Sequence, residues 1–341
     1  MLSISVVLRK YFRILLFFFL IGCKQKKTND LKVTSGYALG TSYSVTYSSE
    51  SLETNLLTTH IDSIIRLINK SMSTYEIDSD ISKINRGDSL LQVDIHFQNV
   101  YNTSSIIWEK TEGYFDPTVG ALVNAYGFGP EKKLKSISKS QRDKILKYTG
   151  WNKTSLTTKN TIQKENPNIY LDFNALAKGY TVDLIADHLR KNNVNSFLVE
   201  VGGEIVAQGK SPRTDNLWKV AIDDPKQGEN REFIRTLSLK NKALATSGNY
   251  RKYKIDERSG RRIVHSVNPK TGNPFPTNVL STSVISNKCM IADAYATSLM
   301  VMPYEKGKAL VDRELDLEAF WIIENEDGSI EQHFSKNFPR K

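Results

Sequence analysis

The chain has 341 residues, 39% of them hydrophobic and only two of them cysteine. That composition belongs to ordinary globular proteins and excludes collagen-like, low-complexity and disulfide-stapled classes. The formal charge is +10, but Arg9, Lys10 and Arg13 sit at the extreme N-terminus and the other basic residues are interspersed with acids, so no nucleic-acid partner is expected.

Arg9, Lys10 and Arg13 precede an apolar run from Ile14 to Ile21, which stops at Gly22-Cys23. A basic n-region, a short apolar h-region and small residues at a cleavage point define a secretory signal. The run is far shorter than the roughly 20 apolar residues that span a bilayer. Leu20-Ile21-Gly22-Cys23 also resembles the bacterial lipobox, whose cysteine is acylated and becomes the new N-terminus. The expectation is a lipoprotein signal peptide over 1–22, a lipid such as palmitate on Cys23, and a polar tether through residue 30. The competing reading is an ordinary signal peptide with a chance cysteine. Either way the protein is exported, and lipidation would hold it on the extracytoplasmic face of the cell membrane. Removing the three N-terminal charges leaves +7, a basic surface suited to anionic headgroups. With Cys23 acylated, Cys289 has no disulfide partner, and beside an apolar helix start it reads as a buried inert thiol. The remaining 31–341 form one domain held by its core alone, which a chain of about 310 residues can do.

Along that domain, Tyr43, Val45 and Tyr47 alternate with small polar residues and predict a strand. Leu56, Leu57, Ile61, Ile64, Ile65 and Ile68 carry helical spacing within Leu52–Lys70, and a second helix is predicted from Ile95 to Glu112, ended by Gly113. Ser138 with Gln141 forms a capping-box signature for a helix through Tyr148. Ile169–Asp172 reads as a short strand feeding a helix from Asn174 to Lys191. Phe197–Val201 and Glu204–Ala207 are strands joined at Gly202-Gly203, a hairpin signal. Residues 231–285 predict a meander of strands with turns at Asp256–Gly260 and Asn268–Pro276. Met290–Met302 is a helix and Ala319–Ile323 a further strand. Strands and helices mixed irregularly predict an α+β fold, antiparallel or mixed sheets flanked by helices.

Four segments hold more Gly, Asp and Asn than packing requires. Gly113-Tyr114-Phe115-Asp116-Pro117-Thr118-Val119-Gly120 continues to Tyr126-Gly127-Phe128-Gly129-Pro130, and its glycines allow close backbone approach while its aromatics suit a planar ring. Taken alone it reads equally as a glycine-rich loop under a core helix. Leu171 to Tyr180 brings a strand to a helix N-terminus, where free N–H groups favour an anion, with Lys178 one turn in. There Asp172 or Asn174 reads equally as an N-cap. Asp293 and Thr297 share a helix face at i and i+4, a hard oxygen pair suited to Mg²⁺ bound together with phosphates. The plainer reading is an Asp favouring a helix dipole and a Thr bonding its own backbone. His265 ends a strand before Asn268-Pro269 and Thr271-Gly272, as a general base or as a structural histidine.

In order and spacing these segments resemble the FAD:protein FMN transferase (ApbE) family over residues 36–303. The resemblance is carried by Gly40-Thr41-Ser42-Tyr43-Ser44-Val45, Met72-Ser73-Thr74-Tyr75, Ser79 to Asn85, Phe115 to Gly120, Ala177-Lys178-Gly179-Tyr180, Val201 to Glu204, Ala245 to Gly248, His265 to Gly272 and Ala292-Asp293-Ala294. The resemblance implies a lipoprotein member that binds FAD with Mg²⁺ in a cleft. Such a member passes FMN to a Thr or Ser hydroxyl of exported acceptor proteins (membrane redox subunits), releasing AMP. It implies Asp293 and Thr297 as side-chain metal ligands with the carbonyl of Ala175 as a third, a carbonyl whose position is uncertain by one residue. It places Leu39, Tyr75, Phe115, Asp116, Asp172, Lys178 and His265 against FAD and makes His265 the base for the acceptor hydroxyl. Glu204 is given no role beyond a possible FAD contact. Two other functions fit the same cleft: Mg²⁺-dependent hydrolysis of FAD to FMN and AMP, and a flavin-binding lipoprotein without chemistry.

Overall fold

The computed structural model describes residues 30–131, 137–226, 232–249, 253–257 and 259–340. The predicted signal peptide, Cys23 and the tether up to residue 29 lie outside the described residues. Among those described, no helix is long and apolar enough to cross a membrane.

In chain order the elements begin with β1 (Lys32–Ala38), β2 (Thr41–Tyr47), α1 (Thr54–Met72), α2 (Asp80–Asn85), α3 (Ile95–Lys110), α4 (Gly120–Ala125) and α5 (Lys139–Leu146). They continue with β3 (Thr154–Leu156), β4 (Ile162–Lys164), α6 (Ala177–Lys191), β5 (Phe197–Val201), β6 (Glu204–Gln208), β7 (Trp218–Asp223), β8 (Phe233–Leu239) and β9 (Lys242–Gly248). The last are β10 (Tyr253–Ile255), β11 (Arg262–Val264), β12 (Val279–Ser286), α7 (Cys289–Leu299), α8 (Tyr304–Arg313), β13 (Glu318–Glu324) and β14 (Ile330–Phe334). An eight-stranded sheet, ordered β1-β2-β5-β6-β9-β12-β13-β14, forms the frame. Every neighbouring pair in it is antiparallel, as the α+β expectation requires.

The middle strands are buried on both faces, and their sequences show why. In β9, Ala243 and Ala245 face one cluster and Leu244 the other. In β13, Ala319, Trp321 and Ile323 face the first cluster, while Phe320 and Ile322 face the second. The larger cluster lies under α1, α3, α6 and α7, with Leu57, Ile61, Phe97, Val182, Ile185 and Leu299 in it. The smaller one is covered by the β7–β8 hairpin through Trp218, Val220, Leu237 and Leu239. A strand covered twice reads as a continuous apolar run, whereas β1 and β2 alternate.

The predicted helices and the Gly202-Gly203 hairpin appear with their ends moved by a few residues. Ser138 and Gln141 make both bonds of the capping box, but α5 stops at Leu146. Two segments differ in kind. Asn174 to Leu176 form turns ahead of α6 and are not its first turn, because Asp172 Oδ1 accepts the Asn174 N–H at 2.8 Å and holds an Asx turn there. Ile169–Asp172 is extended but joins no sheet; its contact to another main chain on that side is an isolated parallel bridge between Tyr170 and Val119, with Asp172 N–H bonding Pro117 O at 2.8 Å.

Candidate active site

Chemistry-bearing residues from distant parts of the chain meet at one end of the sheet. Gly202 (φ +62°) and Gly203 (φ +103°) turn β5 into β6 with left-handed backbone that other residues rarely adopt. The Gly202 N–H donates to Ser42 O at 3.0 Å, and a Cβ on Gly202 would lie 2.7 Å from Thr41 Cγ2. The β5–β6 turn therefore sits beside the β1–β2 turn at Leu39-Gly40, where Leu39 itself has φ +52°. This pairing places Glu204, the first residue of β6, at the same end as Leu39.

Glu204 is buried, and its Oε1 accepts from Lys178 Nζ at 2.7 Å. Asp293 Oδ1 lies 3.7 Å from the same ammonium, and Asp293 Oδ2 accepts the Gly179 N–H at 3.0 Å. One lysine thus balances two buried carboxylates at the first turn of α6. Burial pushes the Asp293 carboxyl up to about 7, with the Glu204 charge adding to this and Lys178 and the Gly179 N–H opposing it. Burial pulls the Lys178 ammonium down, but Asp293 and Glu204 together hold it above the ordinary lysine value. The second Glu204 oxygen, Oε2, is buried and has no hydrogen-bond partner. A carboxylate oxygen left so is costly unless a cation or a ligand donor meets it.

The two helices that carry this group hold each other's starts. Asp293 of α7 accepts an otherwise free N–H at the start of α6. Asp183 of α6 in turn accepts the N–H groups of Cys289 and Met290, at 2.9 and 3.0 Å, at the start of α7. Neither helix has a side-chain cap of its own. Gly179 makes the approach possible, because a Cβ there would lie 2.4 Å from Cys289 O. Thr297, one turn beyond Asp293, has its hydroxyl 3.3 Å from Ser247 Oγ on β9.

The remaining predicted residues fall around this centre in different settings. Tyr75, just past α1, is exposed, and burial of its hydroxyl together with the nearby Asp172 charge raises its pKa. Burial also raises Asp172, whose Oδ1 is engaged by Asn174. Ala175 lies in the turn between Asp172 and α6. Phe115 is buried in the larger core. Asp116 is buried as well and gives its oxygens to Thr118 N–H (2.8 Å), the Thr118 hydroxyl (2.5 Å), Trp151 N–H (3.0 Å) and Trp108 Nε1 (3.1 Å). That carboxylate organises the 113–120 loop. His265 follows β11, edge-on to Phe128 with ring centroids 6.3 Å apart. Its loop joins the 126–130 loop through Tyr126 OH to Gly272 O (2.9 Å), and reaches the end of α7 through Thr277 Oγ1 to Met300 O (2.9 Å).

Among the described residues, no group of three or more His, Cys, Asp or Glu is arranged to hold a metal unaided. The donors present are nevertheless hard oxygens: the Asp293 carboxylate, the Thr297 hydroxyl and main-chain carbonyls ahead of α6. By donor type they suit a small hard cation that takes its other ligands from phosphates, and Glu204 joins Asp293 in one charge group through Lys178. Sequence analysis gives Glu204 no role beyond a possible FAD contact, and the structure sets its carboxylate against Lys178 at 2.7 Å.

A family model described as the ApbE family matches residues 39–321. An FAD:protein FMN transferase of Vibrio cholerae is 32% identical over 324 residues, covering 94% of each chain. Another, from Haemophilus influenzae, is 33% identical over 316 residues and covers 90% of each. Among solved structures, the flavin transferase ApbE from Vibrio cholerae superposes with a TM-score of 0.81 at 32% identity, over 91% of this chain and 98% of that one. The apo flavinyl transferase ApbE of Pseudomonas stutzeri gives 0.79 at 29% identity, over 90% and 95%.

Proposed function

The chain belongs to the ApbE family, and from that premise we propose how its own residues carry out FMN transfer. The enzyme moves FMN from FAD to proteins. In our reading, an acceptor Thr or Ser oxygen attacks the phosphorus on the FMN side of the FAD pyrophosphate. The new P–O bond forms as the bond to the AMP phosphate breaks, AMP departs, and the hydroxyl proton passes to His265. The observation that carries this reading is the charge group at the start of α6, where Lys178 stands between the buried carboxylates of Glu204 and Asp293.

Lys178, held between Glu204 and Asp293, supplies the positive charge at the start of α6 for the pyrophosphate. Leu39, Tyr75, Phe115, Asp116, Asp172 and His265 line or support the flavin side, Tyr75 offering an exposed ring and Asp172 an acceptor oxygen. Asp293, Thr297 and the Ala175 carbonyl would hold Mg²⁺, which when bound neutralises charge on the phosphates. Positioning and charge neutralisation are most of what such a displacement needs. Cys23 would carry lipid, setting the enzyme on the extracytoplasmic face of the membrane beside exported acceptors.

The test is intact mass spectrometry of a flavin-acceptor domain incubated with the full chain in detergent micelles, FAD and Mg²⁺. An FMN-sized gain suppressed by EDTA is expected. AMP formed without any acceptor would point instead to hydrolysis of FAD, and FAD bound with neither product to a flavin carrier.

A further inference from the structure

The extended segment before Asp172 is held by side chains where a strand would be held by a neighbouring strand. On β4, Lys164 Nζ donates to four main-chain carbonyls: Ile84 (2.9 Å) and Asn85 (3.4 Å) at the C-terminus of α2, then Pro167 (3.1 Å) and Ile169 (2.9 Å). Asn85 continues the same row, its amide donating to Leu171 O at 2.9 Å and its Oδ1 accepting the Leu171 N–H at 2.8 Å. Ile169 and Leu171 are alternate residues, so their carbonyls fall on one side of the extended stretch, and Pro167 lies in the turn that precedes it. The other side is taken by Pro117 and Val119.

Among the described residues no carboxylate pairs with Lys164, and burial lowers its pKa. An ammonium partly removed from water and neutralised only by carbonyl dipoles is a costly device. A neutral side chain would do if the task were only to fill space. What the charge accomplishes is to draw the last carbonyls of α2, the negative end of a helix, and the 167–169 carbonyls onto one point. Three residues after Ile169 stands Asp172, and its Asx turn with Asn174 leads through Ala175 to Lys178.

We propose that Lys164, acting through Asn85, is a positioning residue for the FAD site: it sets the height and direction of the 169–172 segment, and so where Asp172 and the Ala175 carbonyl stand. The proposal rests on the transferase reading, in which that loop contacts FAD. Lys164 itself touches neither substrate nor metal.

The experiment compares the full-length wild type with Lys164→Met, Lys164→Gln and Asn85→Ala. FAD binding is followed by flavin fluorescence without an acceptor, FMN transfer by KM for FAD and kcat, and folding by circular dichroism. Lys164→Met should raise both the dissociation constant and the KM for FAD about tenfold while kcat stays within about twofold. Asn85→Ala should do the same, and the double variant should add little, since both act through one segment. Lys164→Gln, which keeps a neutral donor, should fall between and covers the case in which Lys164→Met does not fold. Folded Lys164 variants that bind FAD as the wild type does would overturn the positioning role while leaving the transferase reading intact. Wild-type protein that binds no FAD would remove both.

Discussion

At the scale of single residues, the site turns on how one ammonium serves two buried carboxylates. Asp293 does two jobs: it accepts the Gly179 N–H and it faces Lys178. Replacing it with Ala removes the carboxylate proposed to hold Mg²⁺ and leaves the Gly179 N–H unmet. Asp293→Ala should therefore abolish FMN transfer in the presence of Mg²⁺, scored as loss of the FMN mass gain on the acceptor; retained transfer would take Asp293 out of the metal set. His265 has a separable task. His265→Gln removes a base without touching the phosphate-binding group, so transfer should fall by roughly 10²–10⁴-fold. FAD affinity, read by fluorescence titration, should move little, and an equal loss in both would show that His265 binds rather than takes the proton.

At the scale of elements, α6 and α7 form a pair that caps itself. Asp183 meets two N–H groups of α7, and its carboxyl is buried beside Cys289. Asp183→Ala leaves both donors without an acceptor in a dry interface, at a cost of about 1–3 kcal/mol. Urea unfolding should show the midpoint falling by a corresponding amount, and an unchanged midpoint would mean that water or a shifted main chain replaces the carboxylate. The same pair marks the limit of reading a sequence locally. Helical spacing located α1, α3 and α7, and Gly202-Gly203 located the β5–β6 turn, because those signals lie within one element. The start of α6 was misplaced because its N–H partner comes from Asp293, 114 positions away. The stretch before it reads as a strand in the sequence, but its partners are the side chains of Asn85 and Lys164, which no alternation pattern records. Single-segment patterns likewise passed over β1, whose Val33 and Tyr37 are exposed, and β7 and α8. Within the candidate site, Asp293, Lys178 and Glu204 all lie in motifs legible in the sequence, whereas the pairing of Glu204 with Lys178 needs the fold to bring positions 26 apart together.

At the scale of the whole molecule, a sheet covered on both faces leaves only its ends for chemistry, and one end carries all of Leu39, Glu204, Lys178 and Asp293. Among the described residues no helix is long and apolar enough to cross a membrane. The lipobox reading puts membrane attachment in the N-terminal segment, where Cys23 precedes the first described residue, Asp30, by seven positions. A fully extended stretch of that length reaches at most about 25 Å. A lipid on Cys23 would hold the catalytic body within that distance of the bilayer and restrict its acceptors to proteins presenting a hydroxyl near the same surface. The expected outcome is a mature chain that begins at Cys23 and carries an acyl-sized mass addition, seen by mass spectrometry of the N-terminal peptide from the membrane fraction. Cys23→Ser should lack the addition. A chain with residues 1–23 removed should still transfer FMN to a soluble acceptor domain at close to the wild-type rate, because the tether contributes reach and no chemistry. If the wild-type N-terminal peptide proves unmodified at Cys23, the lipobox reading fails and only export remains of it; if the shortened chain loses transfer to the soluble acceptor, the N-terminal segment does more than tether.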